Sequence, residues 1–333
     1  MDQTEYSKFV PAWWLPTAHL QTIFPTFFFA QKEFPTRVER FELPDGDYID
    51  GIWTDKPAAP TVILLHGLQG SPRSYYINSL MDNIYHETNW NALALSFRGC
   101  GSDKQRMFRQ YHGGDTEDIK FILNLVKQRN PDMPVSMVGY SLGGNILLKL
   151  FGELKYSNLC ETGIAISPPF DIRASSQYMN KGFLGQFYER TFLSDIKHHM
   201  TNKYHYPLHP ETLETHLNEI QTLADLDSKM TAPSLGFDTV DEYYNDSSSI
   251  HYLKHIKKKT LIILALNDPI IDYSTLPTDE ELSKHVELEV YPEGGHVGFI
   301  SGNIKSPEFW VNKRIMAHLS HYLPLGIHEL DQE

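Results

Sequence analysis

The 333-residue chain is 41% apolar, 12% aromatic and 21% charged, too apolar for a disordered tail and too polar for a polytopic membrane protein. Its 29 Lys and Arg against 42 Asp and Glu leave a net charge of −13, which argues against nucleic acid and anionic membranes, since both recruit clustered cations. The length allows one large domain, or one domain carrying an insertion.

The stretch Met1 to Glu5 is acidic, and Pro11 and Pro16 interrupt the residues after it, so no signal peptide is expected. From Trp13 to Phe34 the chain is dense in Trp, Phe, Leu and Ile. Such a stretch resists solvation, and it is expected to pack over a sheet or to wall a pocket. Val38 to Leu43 and Tyr48 to Trp53 flank the turn pair Asp45-Gly46 and read as an opening hairpin. Thr61 to Leu65, Ala92 to Phe97, Val135 to Val138, Thr162 to Ile166, Thr260 to Leu266 and Val286 to Tyr291 have the length and apolar content of strands. Between them, Asp115 is placed to cap a helix running to Arg129, and Leu142 to Phe151 and Pro307 to Tyr322 supply two more. Strands alternating with helices make βαβ units. The expected fold is α/β, a mostly parallel twisted sheet of about eight strands with an antiparallel start and helices on both faces.

The region 170–255 breaks this rhythm and reads as a helical cap inserted into a core formed by 1–169, including the aromatic segment 9–35, and 256–333. Its His198, His199, His205, His209 and His216 invite a metal reading. Pro207 and Pro210 spoil helical ligand spacing and no HExxH occurs, so neither metal nor organic cofactor is expected. The only cysteines, Cys100 and Cys160, imply no disulfide framework and suit a reducing compartment. No apolar run reaches the ~20 residues of a membrane span. A soluble, cytoplasmic protein is expected, with peripheral membrane contact and oligomeric state left open.

Gly139-Tyr140-Ser141-Leu142-Gly143 is a GxSxG at the junction of a strand and a helix, where the serine would sit on a tight, strained turn with its hydroxyl exposed. A serine hydroxyl attacks only when a base removes its proton. His296, in Gly294-Gly295-His296 after the strand ending at Tyr291, is the candidate base. Asp268, just past the run ending at Leu266, is the candidate orienting acid; the chain order Ser, Asp, His suits this type of elbow. The oxyanion of a serine adduct needs two donors, for which the backbone N–H groups of Leu142 and Leu68 are placed. His66 precedes the serine and lies within the same loop as Leu68, so it reads as a loop-ordering residue and not as the base.

Several further segments make the pattern specific: His19-Leu20-Gln21-Thr22, Asp45-Gly46-Asp47, His66-Gly67-Leu68-Gln69-Gly70, Phe97-Arg98-Gly99-Cys100, Tyr111-His112-Gly113-Gly114-Asp115-Thr116-Glu117-Asp118, Asp241-Glu242-Tyr243-Tyr244 and Asn267-Asp268-Pro269. With these, nearly the whole chain resembles the YheT-like esterases of the α/β-hydrolase superfamily, which are related to the eukaryotic α/β-hydrolase-domain lipases. The resemblance implies an α/β-hydrolase fold and a charge-relay triad of Ser141, Asp268 and His296. Where members carry an aromatic before the cap aspartate, this chain has Leu226-Asp227.

The expected activity is therefore hydrolysis of carboxylic esters through an acyl-enzyme, on apolar short- to medium-chain or lipid-like small molecules. Phe183, Leu184, Phe187, Tyr188 and Phe192 are expected to line an acyl tunnel. The same triad acting on thioesters, amides or carbon–carbon bonds, or a non-catalytic binding module on this fold, remain open alternatives.

Overall fold

The Asp45-Gly46 turn closes a two-stranded hairpin of β1 (Arg37–Glu42) and β2 (Tyr48–Trp53), paired in register from Arg37 opposite Trp53 to Glu42 opposite Tyr48. The structure, a computed structural model, describes residues 8–29, 31–56, 58–204, 210–272, 274 and 276–324. The acidic stretch before residue 6, and His205 and His209 of the cap, lie outside the described residues.

β2 runs antiparallel to β4 (Asn91–Leu95), and from there every pairing is parallel: β3 (Thr61–Leu65), β5 (Val135–Tyr140), β6 (Thr162–Ile166), β7 (Lys259–Ala265) and β8 (Val286–Tyr291). The eight-stranded order is β1-β2-β4-β3-β5-β6-β7-β8. β3 to β6 are buried along their whole lengths, which is why the sequence shows them as unbroken apolar runs.

Alternate strand residues serve the two faces. Ile63, Leu65, Leu93, Leu95 and Met137 pack with α3 (Glu117–Arg129) and α4 (Leu142–Leu154). Val62, Leu64, Ala92, Ala94 and Val138 pack with α2 (Tyr75–Glu87) and with the last helix, Trp310–Leu319. This period-two division is what a sheet covered on both sides demands.

Between β6 and β7 the described chain is helical: α5 (Ile172–Met179), α6 (Gly182–Lys203), α7 (Pro210–Asn218), α8 (Leu223–Leu226), a π-turn over Asp227–Thr231, α9 (Ala232–Ser234) and α10 (Val240–Ser247). Met179, Tyr188, Leu193, Ile196, Leu223 and Leu226 form their own core together with Ile270 and Ile271 from the loop after β7.

Four local expectations need correction. The run expected over Ala92 to Phe97 ends as strand at Leu95; Ser96 N–H still donates to Asp50 O on β2 (2.8 Å), and the chain then turns through Arg98-Gly99. Asp115 does not cap α3, which begins after Thr116; its buried carboxylate pairs instead with Arg109 at 3.0 Å. The segment from Pro307 starts as strand, since β9 (Ile300–Asn303) and β10 (Ser306–Phe309) form a short hairpin before α11 (Trp310–Leu319). The aromatic segment contains a helix, α1 (Ala18–Phe28), and much of its apolar surface stays outside: Trp13, Phe27 and Phe28 are 77%, 74% and 70% exposed, while polar Gln21 is buried.

Candidate active site

β5 ends at Tyr140 and α4 starts at Leu142, so Ser141 alone makes the turn, at φ 51° and ψ −120°. A non-glycine residue at positive φ costs about 1–3 kcal/mol. The turn is held by Ser141 N–H donating to Ile166 O on β6 (2.8 Å) and by Asn145 N–H donating to Ser141 O (3.1 Å). Close packing behind the turn requires glycine at 143, where a Cβ would lie 2.4 Å from His66 O and 2.7 Å from Leu65 O.

Asp268 follows β7 and His296 follows β8, at the same sheet end as Ser141. His296 Nε2 lies 2.9 Å from Ser141 Oγ, and its Nδ1 lies 2.7 Å from Asp268 Oδ2. A carboxylate only accepts, so the ring proton belongs on Nδ1, leaving Nε2 to accept from the serine. The other oxygen, Asp268 Oδ1, accepts from the N–H groups of Ile270 (2.8 Å) and Ile271 (3.1 Å), which fixes the carboxylate plane. Asp268 and His296 are both buried, which strengthens each of these bonds relative to water.

The histidine loop is clasped from the far end of the chain. His296 N–H donates to Thr22 Oγ1 (2.9 Å), and Thr22 Oγ1 donates to Ala18 O (2.8 Å). Gln21 pairs with both polar groups of Ile300, accepting its N–H at 2.8 Å and donating to its carbonyl at 3.3 Å. Gly295 N–H donates to Asn267 Oδ1 (3.0 Å). Gly295 has φ +64°, and a Cβ there would strike Ala18 O at 2.6 Å and Thr22 Oγ1 at 2.8 Å. α1 and the loop thus meet backbone to backbone.

Sequence reading found the HLQT segment only as a signature. Asn267 and Tyr111 likewise entered only within signature segments, with no role assigned, and Tyr76 was missed outright. Gly67 N–H donates to Tyr76 Oη (3.0 Å) and Gln69 N–H to Tyr111 Oη (2.8 Å). Leu68 lies between these two tethers, and both Leu68 and Leu142 border the cavity that contains Ser141. His66 orders this loop: its Nδ1–H donates to Gly67 O (2.7 Å) and its Nε2 accepts Phe97 N–H (3.1 Å). Complete burial lowers its pKa to about 4, so the ring is neutral at physiological pH.

The remaining signature segments brace the scaffold. Buried Arg98 makes a bidentate pair with Asp118 (2.6 and 2.8 Å) and meets Asp45 at 2.9 Å and Asp47 at 3.3 Å. Asn145 donates to the carbonyls of Gly113 and Ser247, both at 2.8 Å, and accepts from Ser249 N–H at 2.9 Å. It thereby ties α4 to the loop before α3 and to the end of the helical insertion.

Residues 60–303 match the alpha/beta hydrolase fold family, and the chain is 35% identical to "Putative esterase YheT" of Escherichia coli (strain K12) over 97% of this chain and 96% of that one. The chain belongs to the α/β-hydrolase family. It is also 30% identical to a monoacylglycerol lipase of Saccharomyces cerevisiae, over 73% of this chain and 55% of the yeast protein. Among solved structures, the Pyrococcus furiosus esterase Pf2001 superposes with a TM-score of 0.56, covering 87% of this chain and 94% of that one at 18% identity. That likeness is one of fold.

As in any α/β-hydrolase, what reaches the serine is set by the surrounding walls. A cavity of about 120 Å³ opens beside Ser141, walled by apolar Leu142, Ile172, Met179, Phe192, Ile196 and Ile271 among others. Of the five cap residues expected to line an acyl tunnel only Phe192 does so, while Phe183 and Phe187 are 84% and 53% exposed. No described residue from Trp13 to Phe34 borders this cavity. Among the described residues no group of three or more His, Cys, Asp or Glu is arranged to hold a metal, and no helix is long and apolar enough to cross a membrane.

Proposed function

We propose that this α/β-hydrolase cleaves carboxylic esters of small apolar molecules through a serine acyl-enzyme. The observation that carries this reading is the unbroken chain Ser141 Oγ, His296 Nε2, His296 Nδ1, Asp268 Oδ2, with links of 2.9 and 2.7 Å. The names of its relatives, an esterase and a monoacylglycerol lipase, support the reaction class.

In this mechanism Ser141 Oγ attacks the ester carbonyl as its proton passes to His296 Nε2. Asp268 holds the tautomer and stabilises the imidazolium. The carbonyl oxygen becomes an oxyanion received by the N–H groups of Leu68 and Leu142, each of which is worth roughly 10²–10³ in rate where such donors have been removed. Collapse of the adduct breaks the C–O bond, and the imidazolium gives its proton to the departing alcohol. Water then repeats the sequence on the acyl-serine, releasing the acid and restoring Ser141. The reading of Leu68 rests on its neighbours: with Gly67 and Gln69 tethered to two tyrosines, the intervening N–H is held in place by bonds made on either side.

Labelling by a fluorophosphonate tests this without any guess at substrate. Wild type should be modified at Ser141, and Ser141→Ala should lose labelling together with at least ~10³-fold of p-nitrophenyl butyrate turnover. A Ser141→Ala protein with full activity would refute the assignment.

A further inference from the structure

The cavity beside Ser141 is not uniformly apolar. α5 presents Ile172, Ser175, Ser176 and Met179 to it, the i, i+3, i+4, i+7 stripe of one helical face, so two hydroxyls stand where a purely greasy pocket would carry aliphatic side chains. Ser175 is only 4% exposed and its Oγ has no hydrogen-bond partner; Gln69 Oε1, in the same wall, is likewise buried without one. Opposite chemistry comes from Asp227, which borders the cavity at the start of the π-turn after α8. Tyr244 Oη donates to Asp227 Oδ2 at 3.1 Å, and no cation pairs with this carboxylate among the described ion pairs. π-turns inside helices recur at functional sites.

We propose that Asp227, Ser175 and Gln69 form a hydroxyl-recognition subsite in the substrate cavity, selecting esters that carry a free hydroxyl on the alcohol or on the acyl chain. The inference rests on the ester-hydrolase reading of Ser141 and adds to it which esters are taken. A hydroxyl both donates and accepts. It can donate to Asp227 or Gln69 Oε1 and accept from Ser175, meeting needs that an alkyl group leaves unmet. A quaternary ammonium would offset the Asp227 charge but accepts nothing from Ser175. A free carboxylate meets like charge, so a fatty acid product is expelled. Sites built to bind a hydroxyl discriminate strongly against its absence, because their own buried polar groups then go unpaired. Burial raises the Asp227 carboxyl to about 6, leaving it a charged acceptor at neutral pH.

The test compares matched octanoates of glycerol, propanol and choline, and methyl esters of octanoic and 3-hydroxyoctanoic acid. Wild type should favour at least one hydroxylated ester over its deoxy partner by roughly tenfold or more in kcat/KM. The glycerol arm locates the hydroxyl on the alcohol side and the hydroxyacyl arm on the acyl side. Asp227→Leu with Ser175→Ala should bring the ratio towards one, the hydroxylated ester losing far more kcat/KM than the deoxy one. Ratios near one in wild type, or a preference for the choline ester, overturn the subsite while Ser141 labelling leaves the hydrolase reading intact. Should Ser141 resist labelling, the hydrolase reading fails separately, and binding still decides the subsite. 1-O-octylglycerol should then bind Ser141→Ala roughly tenfold tighter than octyl propyl ether, and equal affinities would overturn it.

Discussion

Replacing Thr22 by Val removes one hydroxyl, keeps the shape of the side chain and touches none of the reacting atoms. In the native protein that hydroxyl accepts the His296 N–H at 2.9 Å, beside an imidazole whose Nε2 is 2.9 Å from Ser141 Oγ. A backbone N–H left without an acceptor in this partly buried place costs about 1–3 kcal/mol. The loop can recover that energy only by turning the N–H towards water, which moves the imidazole with it. If the cost falls on the reacting geometry, turnover drops by about ten- to 100-fold, since each 1.4 kcal/mol is a factor of ten. Thr22→Ser keeps the acceptor and should retain most activity. Steady-state kcat on p-nitrophenyl butyrate, measured well below each variant's Tm, reads the effect. A folded Thr22→Val enzyme with kcat within twofold of wild type would show that α1 does not position the histidine.

Three other outcomes are expected from the same geometry. Gly143→Ala forces a Cβ to within 2.4 Å of the His66 carbonyl; the backbone must move, at about 1–3 kcal/mol, and both Tm and fluorophosphonate labelling should fall, whereas unchanged labelling would deny that this packing sets the loop carrying Leu68. Asp227 has a folded pKa of about 6, raised by burial from 3.8, so the native state holds its proton more tightly. The associated stability is present below about pH 4 and lost as pH rises through 6; Asp227→Asn should therefore gain up to about 3 kcal/mol over wild type at pH 8, with the advantage shrinking towards pH 4 in paired thermal melts. The cavity of about 120 Å³ is close in size to one that admits benzene, and each buried methylene contributes about 0.8 kcal/mol. kcat/KM should thus climb from acetyl through butyryl to octanoyl p-nitrophenyl esters and fall at palmitoyl; a flat series would remove the chain-binding role.

The centre of the sheet was legible because β3 to β6 are buried along their whole lengths, so that a run such as Thr61 to Leu65 shows as unbroken apolar sequence of strand length. The serine turn was legible for a similar reason, since glycine is demanded on a strict spacing by backbone contact. The histidine and the acid were reached from chain order and strand ends, and the structure brings both to within hydrogen-bond distance of their neighbours. What escaped was contact between distant segments. Apolar residues 20, 23, 24, 27 and 28 of α1 fall on one helical stripe and suggest an inward face, yet Leu20, Phe27 and Phe28 are exposed while Gln21 is buried. Two hydrogen bonds to Ile300 outweigh the apolar stripe, and no local pattern could reveal a partner 279 residues away. Asp115 failed for a different reason: the helix begins one residue later than expected, with Thr116 at the cap, and the Asp115 carboxylate pairs with nearby Arg109.

The clasp between α1 and the histidine loop also bears on the order in which the protein matures. Its hydrogen bonds join residues separated by 274 and 279 positions, so they close one of the largest loops available to the chain and contribute nothing until that loop is closed. During synthesis, α1 leaves the ribosome well before the loop around Gly295 and Ile300, and Gln21 stays hydrated until that loop follows. The sheet around β3 to β6 can assemble in the interval from strands nearer in sequence. The placement of His296 against Ser141 is therefore completed late, once α1 and the histidine loop have met, and a nascent or partly folded molecule carries Ser141 without its imidazole partner.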